Sequence, residues 1–566
     1  MIGPKLWKET WKGLRMESTY SSCTILVGIS HQAAKFLLIL LVFFTFLQGR
    51  SGFSGFGPEV KPTKGALWPR PSYERRFNFS FAIDPKDFEF QSVGQTCPIL
   101  EKALNRYKLL IKNAVRYGKV DAAYNKDSPA EVDATKLPAL RVDLRSPCEE
   151  IPSDNMDESY NLTVSHFSSA LIFMNRISAN SIWGILRGLE SFSQILVPDK
   201  TGRMLIMDGI FIEDEPRFKH RGLLLDTSRH FFSVPEIQQV LDGMAYNKYN
   251  VFHWHIVDDQ SFPYQSVVYP QLSLKGAYHP ELAVYSLSDI ENVIDFAKDR
   301  GIRVIPEFDT PGHTLSWGAS VKGLLAQCNT TGEYGPVDPS EPNNYVFLQR
   351  LLIEIASVFK DKYIHLGGDE VEIKCWEDNP KIASFMNKYN MSRNFTELET
   401  YYFTRLLNIT NLLNLKPVVW QEVFDFGVEL DPKTIIHVWK SEPEAMKPIV
   451  SRGYEALFSS CWYLDHLSET WRSYYHCDIL DFDATPEERA LVIGGEACMW
   501  GEWVDETNVS PRIWPRACAP AERLWSYGSR FPHPDTAARL EEHACRLKRR
   551  GIPTAPPNGP GYCPLL

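Results

Sequence analysis

From Arg221 onwards the apolar residues fall into short unbroken runs, each followed by a longer segment with helical spacing. The runs are residues 222–226, 251–258, 302–309, 363–370, 417–422, 434–439, 454–460 and 492–500. Continuous apolar runs of this length predict strands buried on both faces, as in a parallel sheet. Between them, residues 234–246, 287–300 and 344–359 repeat their apolar positions with the period of an amphipathic helix. Eight such units over roughly 330 residues predict an α/β fold, a (β/α)8 TIM barrel somewhat above the typical size. A doubly wound sheet is the alternative, but no Gly-rich phosphate fingerprint follows the first strand.

Upstream the pattern differs. Residues 140–144 and 160–164 alternate apolar and polar positions, as half-buried strands do, and 182–196 reads as an amphipathic helix. The chain therefore divides into a targeting region at 1–50, a Gly-, Pro- and Ser-rich linker at 51–75, a small α+β domain at 76–214 and the barrel at 215–566. In the targeting region, Lys5, Lys8, Lys12 and Arg15 precede the apolar run 36–47, with Gly49, Ser51 and Gly52 behind it. That run is shorter than the ~20 residues of a membrane span and fits a secretory signal. An uncleaved signal-anchor is the minor alternative, and Met16 is an alternative start.

Secretory entry has independent support. Asn78, Asn161, Asn329, Asn390, Asn394, Asn408 and Asn508 all stand in N-x-[ST] acceptor sequences. The eleven cysteines include no C-x-x-C pair, so they read as disulfide candidates, not zinc ligands. Cys23 precedes the apolar run and would leave with the signal. The loop-flanked cysteines suggest Cys97 with Cys148, Cys328 with Cys375, and Cys545 with Cys563. Cys498 lies within an apolar run and reads as a buried thiol, while Cys461, Cys477 and Cys518 are left unassigned. A net charge of −10 and a pI near 5.8 argue against nucleic acid as a partner.

Chemistry gathers where the strands should end. Asp258 and Asp259, Glu307 and Asp309, Asp369 and Glu370, Trp420, Trp439, Trp500 and Glu502 all fall there. In a barrel those ends form the face that carries the active site. The run His365–Val371 ends in Gly367-Gly368-Asp369-Glu370, and a strand entering that bend would turn its two carboxylates to opposite faces. A helix N-terminus, where acids complement the dipole, is the plainer reading of the motif by itself. His253 and His255 share one strand face, which suits a buried hydrogen-bonded pair better than a metal site. Carboxylates with aromatic walls point to glycoside hydrolysis.

Six runs, taken in order, resemble glycoside hydrolase family-20 β-N-acetylhexosaminidases, most of all the animal lysosomal α/β-type subunits. They are residues 226–230, 253–259, 307–314, 365–371, 419–422 and 494–502, and the resemblance extends from Phe77 to Cys563. It implies substrate-assisted retaining hydrolysis of terminal β-GlcNAc or β-GalNAc on glycoconjugates or chito-oligosaccharides, the family-20 exception to a protein nucleophile. Glu370 would be the general acid/base, Asp369 and Tyr463 would grip the 2-acetamido group, and Asp258 and His313 would stand behind the acid. Arg229 and Glu502 would bind the outer hydroxyls; as a plain structural role, Arg229 would pair with Glu307 or Asp309. Trp420, Trp439 and Trp500 would box the sugar. The resemblance implies no metal or other cofactor, a lysosomal or extracellular location, and a homodimer or a heterodimer with a related chain.

Two departures bear on specificity. Asp465-His466 stands where α-type chains carry Asn-Arg, and Asp465 would repel a 6-sulfate and accept bonds from neutral hydroxyls, although a histidine can be cationic at acidic pH. The stretch 329–335 is shorter than the α-type loop associated with activator docking, which argues against ganglioside cleavage. Two rivals remain: a carbohydrate-binding protein on an inactive barrel, and a standard two-carboxylate glycosidase, which needs a second catalytic carboxylate on another strand.

Overall fold

The structure, a computed structural model, describes residues 59–566 except 118–133, 167–174, 200, 529–531 and 564–566. The expected targeting region, Cys23 and the first part of the linker lie outside the described residues.

The N-terminal sheet comprises β1 (Tyr73–Ile83), β2 (Glu89–Gly94), β3 (Ala134–Lys136), β4 (Ala139–Leu144), β5 (Tyr160–Val164), β6 (Arg176–Ala179), β7 (Val197–Pro198) and β8 (Leu205–Asp214). Its order is β2-β4-β6-β5-β8-β1-β3, with β7 paired to β8, in mixed parallel and antiparallel register. Alternation along β4 buries Leu140, Val142 and Leu144 and leaves Arg141 outside. That apolar face packs under the helices Pro98–Ala114 and Ile182–Gln194. The second helix starts at Ser181, whose hydroxyl accepts the Gly184 N–H at 3.1 Å.

The eight expected barrel strands are all present: β9 (His220–Asp226), β10 (Val251–Val257), β11 (Arg303–Phe308), β14 (Tyr363–His365), β15 (Lys416–Trp420), β16 (Ile435–Val438), β17 (Ala456–Phe458) and β18 (Val492–Met499). They close in chain order, all parallel. β12 (Leu325–Gln327) and β13 (Tyr334–Val337) form a small hairpin in the loop after β11. Helices cover the barrel's outside, so most strand residues are buried on both faces and read as unbroken apolar runs.

Two expectations need correction. The run 363–370 is a strand only over Tyr363–His365, because Gly367 and Gly368 take φ of 69° and 103° and turn the chain out of the sheet. At Gly367 a Cβ would overlap the Asp309 carboxyl, so no larger residue fits. The stretch 63–75 is no free linker. Trp68 is fully buried with its indole N–H on the Cys518 carbonyl at 3.0 Å, and the Gly65 and Ala66 N–H groups donate to Glu542.

Among the described residues no helix is long and apolar enough to cross a membrane. The disulfides are Cys97–Cys148, Cys328–Cys375, Cys461–Cys477 and Cys545–Cys563, and Cys498 and Cys518 are buried thiols. Asn78, Asn329, Asn390, Asn394 and Asn408 are exposed, whereas Asn161 and Asn508 are half-buried.

Where the two domains meet, Glu158 accepts from Arg187 at 2.8 Å, from Arg221 at 2.6 Å and from Asn250 at 3.1 Å, all of them buried. Removing the carboxylate would leave two buried guanidinium groups short of their counter-charge. Glu158→Ala is expected to lose about 3–5 kcal/mol, the typical cost of breaking a buried pair. Denaturant unfolding checks this, and an unchanged midpoint would show that the interface does not depend on this pair.

Candidate active site

Because strand side chains alternate, the barrel interior is built in layers. Val251, Ile305, Tyr363, Val418, Ile435, Leu457 and Ile493 form an apolar floor. Two residues further along the same strands come His253, Glu307, His365, Trp420 and His437, all buried. Glu307 is the hub of this polar layer. Its Oε1 accepts the Trp420 indole N–H at 2.8 Å, and its Oε2 accepts from His255 Nδ1 at 2.6 Å and lies 2.9 Å from His253 Nε2. His253 Nδ1 reaches Glu496 at 2.7 Å, and Glu496 in turn meets His220 Nε2 at 2.6 Å.

Burial disfavours charge on His253 and His255, yet the flanking carboxylates override it and raise them to about 9 and about 10. The same pairing, again against burial, holds Glu307 and Glu496 well below the ordinary carboxylate range. His253 and His255 therefore form buried ion pairs with Glu307 and Glu496, whereas burial pushes His220, His365 and His437 down and keeps them neutral. The carboxylates contribute stability that is complete above 4.5 and lost as pH falls through their depressed values. The imidazoles contribute stability that is complete below 6.5 and lost as pH rises through about 9 to 10. Both contributions are whole only between those limits.

One layer higher lie the groups able to move protons. Asp258 Oδ2 accepts from His255 Nε2 at 2.7 Å and pairs with Arg229 at 2.9 Å, while Oδ1 faces His313 Nδ1 at 3.2 Å. Burial would raise the Asp258 carboxyl, but these hydrogen bonds and the Arg229 charge hold it well below its usual value. His313 Nε2 stands 3.7 Å from Asp369 Oδ2 and 3.8 Å from Glu370 Oε2. The two carboxylates differ in surroundings: the Asp369 side chain is 11% exposed and that of Glu370 57%. Burial and the neighbouring Asp369 charge push the Asp309 carboxyl well up, and burial raises Asp369 too. Asp309 Oδ1 also accepts the Gly368 N–H at 2.9 Å, which ties the bend to β11.

Facing these acids is an aromatic wall. Trp439 and Tyr463 are stacked at 6.2 Å, and Trp500 lies 6.4 Å from Tyr463 and 6.2 Å from Trp420. Trp439 is braced by its indole N–H on Glu422 Oε2 at 2.8 Å. Burial, followed by nearby charges that include Asp369, raises the Tyr463 phenol. Asp369 Oδ1, His313 Nε2 and Asp465 Oδ1 are buried without a hydrogen-bond partner among the described residues. Buried polar atoms are rarely left so, and these are free to bind a ligand.

Arg229 does not pair with Glu307 or Asp309, the structural role considered for it above. It bonds Asp226 at 3.0 Å and Asp258 at 2.9 Å, lies 3.8 Å from Glu502, and stacks over Trp500 at 5.2 Å. Burial pushes the half-buried Asp465 upward, and His466 Nε2 lies 3.9 Å from its Oδ2. His253 and His255 do not bond to each other; they share Glu307. Three groups, His253–His365–His437, Asp258–Asp259–His313 and Asp309–His313–Asp369, come within metal-ligand reach of one another. Hydrogen bonds and ion pairs already occupy His253, Asp258 and Asp309.

Sequence reasoning did not single out Glu496, His220, His365 and His437 as part of this network, nor Glu422 and Asp309 as braces of the site. For His365 and His437 the available signal was their place two residues beyond the floor position, as for His253 and Glu307; Glu496 lies three beyond Ile493 and breaks the pattern.

Comparison with known proteins agrees with this architecture. Residues 218–527 match the catalytic domain of glycosyl hydrolase family 20, and residues 67–195 match a beta-acetyl hexosaminidase-like domain. The chain is 44% identical to the human beta-hexosaminidase subunit beta over 524 residues, covering 89% of this chain and 91% of that protein. It is likewise 44% identical to the Bos taurus subunit alpha over 519 residues, covering 88% of this chain and 95% of that protein. The solved structure of a Flavobacterium johnsoniae chitobiase superposes with a TM-score of 0.74 at 29% identity, covering 86% of this chain and 73% of that one. With this fold, these acids on the barrel's open face and this extent of likeness, the chain belongs to glycosyl hydrolase family 20 and is a glycoside hydrolase of the β-hexosaminidase type.

Proposed function

We propose that the enzyme is an exo-acting, retaining β-N-acetylhexosaminidase that uses the substrate's own acetamide as nucleophile. The observation that carries this reading is the contrast between Asp369 and Glu370, adjacent residues in opposite surroundings with His313 between them. Glu370 reaches solvent, where a leaving oxygen would sit, and serves as the acid. Asp369 is buried beside Asp309 and the Tyr463 wall, so it suits gripping a substituent better than attacking a sugar carbon.

In the first step the acetamide carbonyl oxygen bonds to the anomeric carbon as the glycosidic C–O bond breaks. Glu370 gives its proton to the departing oxygen, and Asp369 supports the positive charge on the acetamide nitrogen while Tyr463 donates to its oxygen. In the second step water bonds to the anomeric carbon as the bond from that carbon to the acetamide oxygen breaks, which restores the acetamide, and Glu370 takes the water's proton. Two displacements at one carbon retain its configuration. His313, held by Asp258, stands beside Glu370 to favour proton exchange. Arg229 and Glu502 bind the outer hydroxyls, and Trp420, Trp439 and Trp500 enclose the sugar. Asp465 favours neutral GlcNAc or GalNAc over a 6-sulfated sugar.

We assign the enzyme to the secretory route and to an acidic compartment or the extracellular space. Exposed sequons, four disulfides and the pH range of the buried ion pairs support this. The subunit names of its relatives support assembly as a homodimer or with a related chain.

Five outcomes test the reading. Matched chromogenic β-GlcNAc and β-GalNAc substrates should be cleaved while the β-glucoside is inert. Glu370→Gln should abolish turnover of a chitobiose-type substrate and retain sugar binding. A 2-fluoro sugar that left a glycosyl ester on any carboxylate would falsify the acetamide mechanism. Asp369→Asn should weaken binding of a thiazoline analogue of the cyclic intermediate by about tenfold to a hundredfold, the worth of one charge-assisted hydrogen bond. Thermal unfolding should give a plateau between about pH 4.5 and 6.5, with an alkaline decline that sets in above 6.5 and runs through about 9 to 10. A decline already complete at pH 7.5 would mean that the buried imidazoles are not charged.

A further inference from the structure

We propose that Glu307 and His255 are positioning residues for the acid, acting through Asp258 on His313 from inside the barrel. The inference rests on the reading of Glu370 as the acid and extends it inward by two residues.

The connection is continuous. Glu307 Oε2 accepts from His255 Nδ1 at 2.6 Å, His255 Nε2 donates to Asp258 Oδ2 at 2.7 Å, and Asp258 Oδ1 faces His313 Nδ1 at 3.2 Å. His313 Nε2 then lies 3.8 Å from Glu370. Both His255 nitrogens meet carboxylates, so the ring must carry both protons to satisfy them. A cationic, doubly anchored ring fixes Asp258 in place and keeps it ionised. An ionised Asp258 in turn accepts the hydrogen bond of His313 Nδ1–H, which turns Nε2 toward Glu370 and Asp369. Glu307 and His255 are buried and reach His313 through Asp258, whereas their contacts with Trp420 and Trp500 bear on the sugar pocket and not on the acid limb.

Other charged groups surround Asp258. Arg229, itself paired with Asp226, approaches from the loop after β9, and Asp259 is the chain neighbour. His313 comes from the loop after β11, where Asp309 also lies, and Tyr278 senses the Asp258 charge from the loop after β10. Arg229 is a second cation on Asp258, but it is shared with Asp226 and Glu502. His255 is the partner whose opposite nitrogen is committed to the core. Without its charge and hydrogen bond, Asp258 would take a proton at higher pH, and His313 would be released at pH values where the wild type still works.

The test compares three single variants of the full-length enzyme by kcat and kcat/KM across pH, with thermal unfolding to show that each is folded. His255→Gln and Glu307→Gln act on the same link, so either folded variant decides the matter. In both, kcat should fall by at least about tenfold. The acid limb should move up by about one to two pH units, the equivalent of one hydrogen bond to a charged group. Glu496→Gln breaks the neighbouring ion pair with His253 and weakens the hydrogen bond with His220, neither of which touches Asp258. It should lower the unfolding temperature and leave the acid limb in place.

If the His255 and Glu307 variants keep the wild-type limb, or if all three variants move it alike, the network is merely structural and the inference is overturned. Glu370→Gln separates this from the parent reading. If that variant still turns over a chitobiose-type substrate, the acid assignment fails and the inference fails with it. If Glu370→Gln is inactive while the acid limb of His255→Gln is unmoved, only the inference fails.

Discussion

Glu307 is a carboxylate buried near the middle of a closed barrel, and three lines of the structure start from it. One runs through His255 and Asp258 to His313. A second is the direct bond to the Trp420 indole, which fixes one wall of the aromatic pocket. The third is a packing contact: the neutral His365 ring lies 3.2 Å from Glu307, and its Nδ1 accepts the Gly367 N–H at 3.1 Å at the start of the bend that carries Asp369 and Glu370. Burying an unpaired carboxylate would cost several kcal/mol. Here the imidazoles of His253 and His255 supply the counter-charge, and the indole supplies a further hydrogen bond. One constraint, satisfying a single buried anion, thereby aligns the acid side and the sugar side of the site.

The eight barrel strands were legible because a parallel barrel buries both faces of each strand, which leaves continuous apolar runs in the sequence. Their ends were less so. The run 363–370 has the composition of a strand that extends to the carboxylates, and only the φ angles at Gly367 and Gly368 show that the sheet stops at His365. The polar interior was harder still. His253 and His255 were read as a buried hydrogen-bonded pair; they are buried, but they bond to carboxylates of β11 and β18, far away in sequence, and not to each other. Charge complementarity across a barrel depends on which inward positions share a layer, and that register cannot be seen along a single strand. The same blindness explains Arg229, whose partners Asp226 and Asp258 belong to its own and the adjacent strand rather than to the third. Trp68 was misplaced for a different reason. Its neighbours are Gly, Pro and Lys, the composition of a linker, yet its partner lies 450 residues away.

The bend after β14 also accounts for how adjacent carboxylates come to differ. In a strand, alternation alone would have sent Asp369 and Glu370 to opposite faces of the sheet, one inward and one into the helix layer. The bend instead keeps both on the open end of the barrel. Gly368 closes against Val423 and Phe403, where any Cβ would overlap both side chains, and Glu370 takes a φ of 50°. A left-handed conformation costs a non-glycine residue roughly 1–3 kcal/mol, and such residues persist where their surroundings determine them. Here the cost is offset by the Asp309–Gly368 bond and by close packing at the bend. The strained backbone sets one carboxylate down beside the aromatic wall and lifts the next toward solvent, with the same imidazole within 4 Å of each. Two acids on one continuous strand could not share a histidine in that way. Under the proposed mechanism, that shared imidazole lets the site treat the acetamide and the leaving oxygen as parts of a single event.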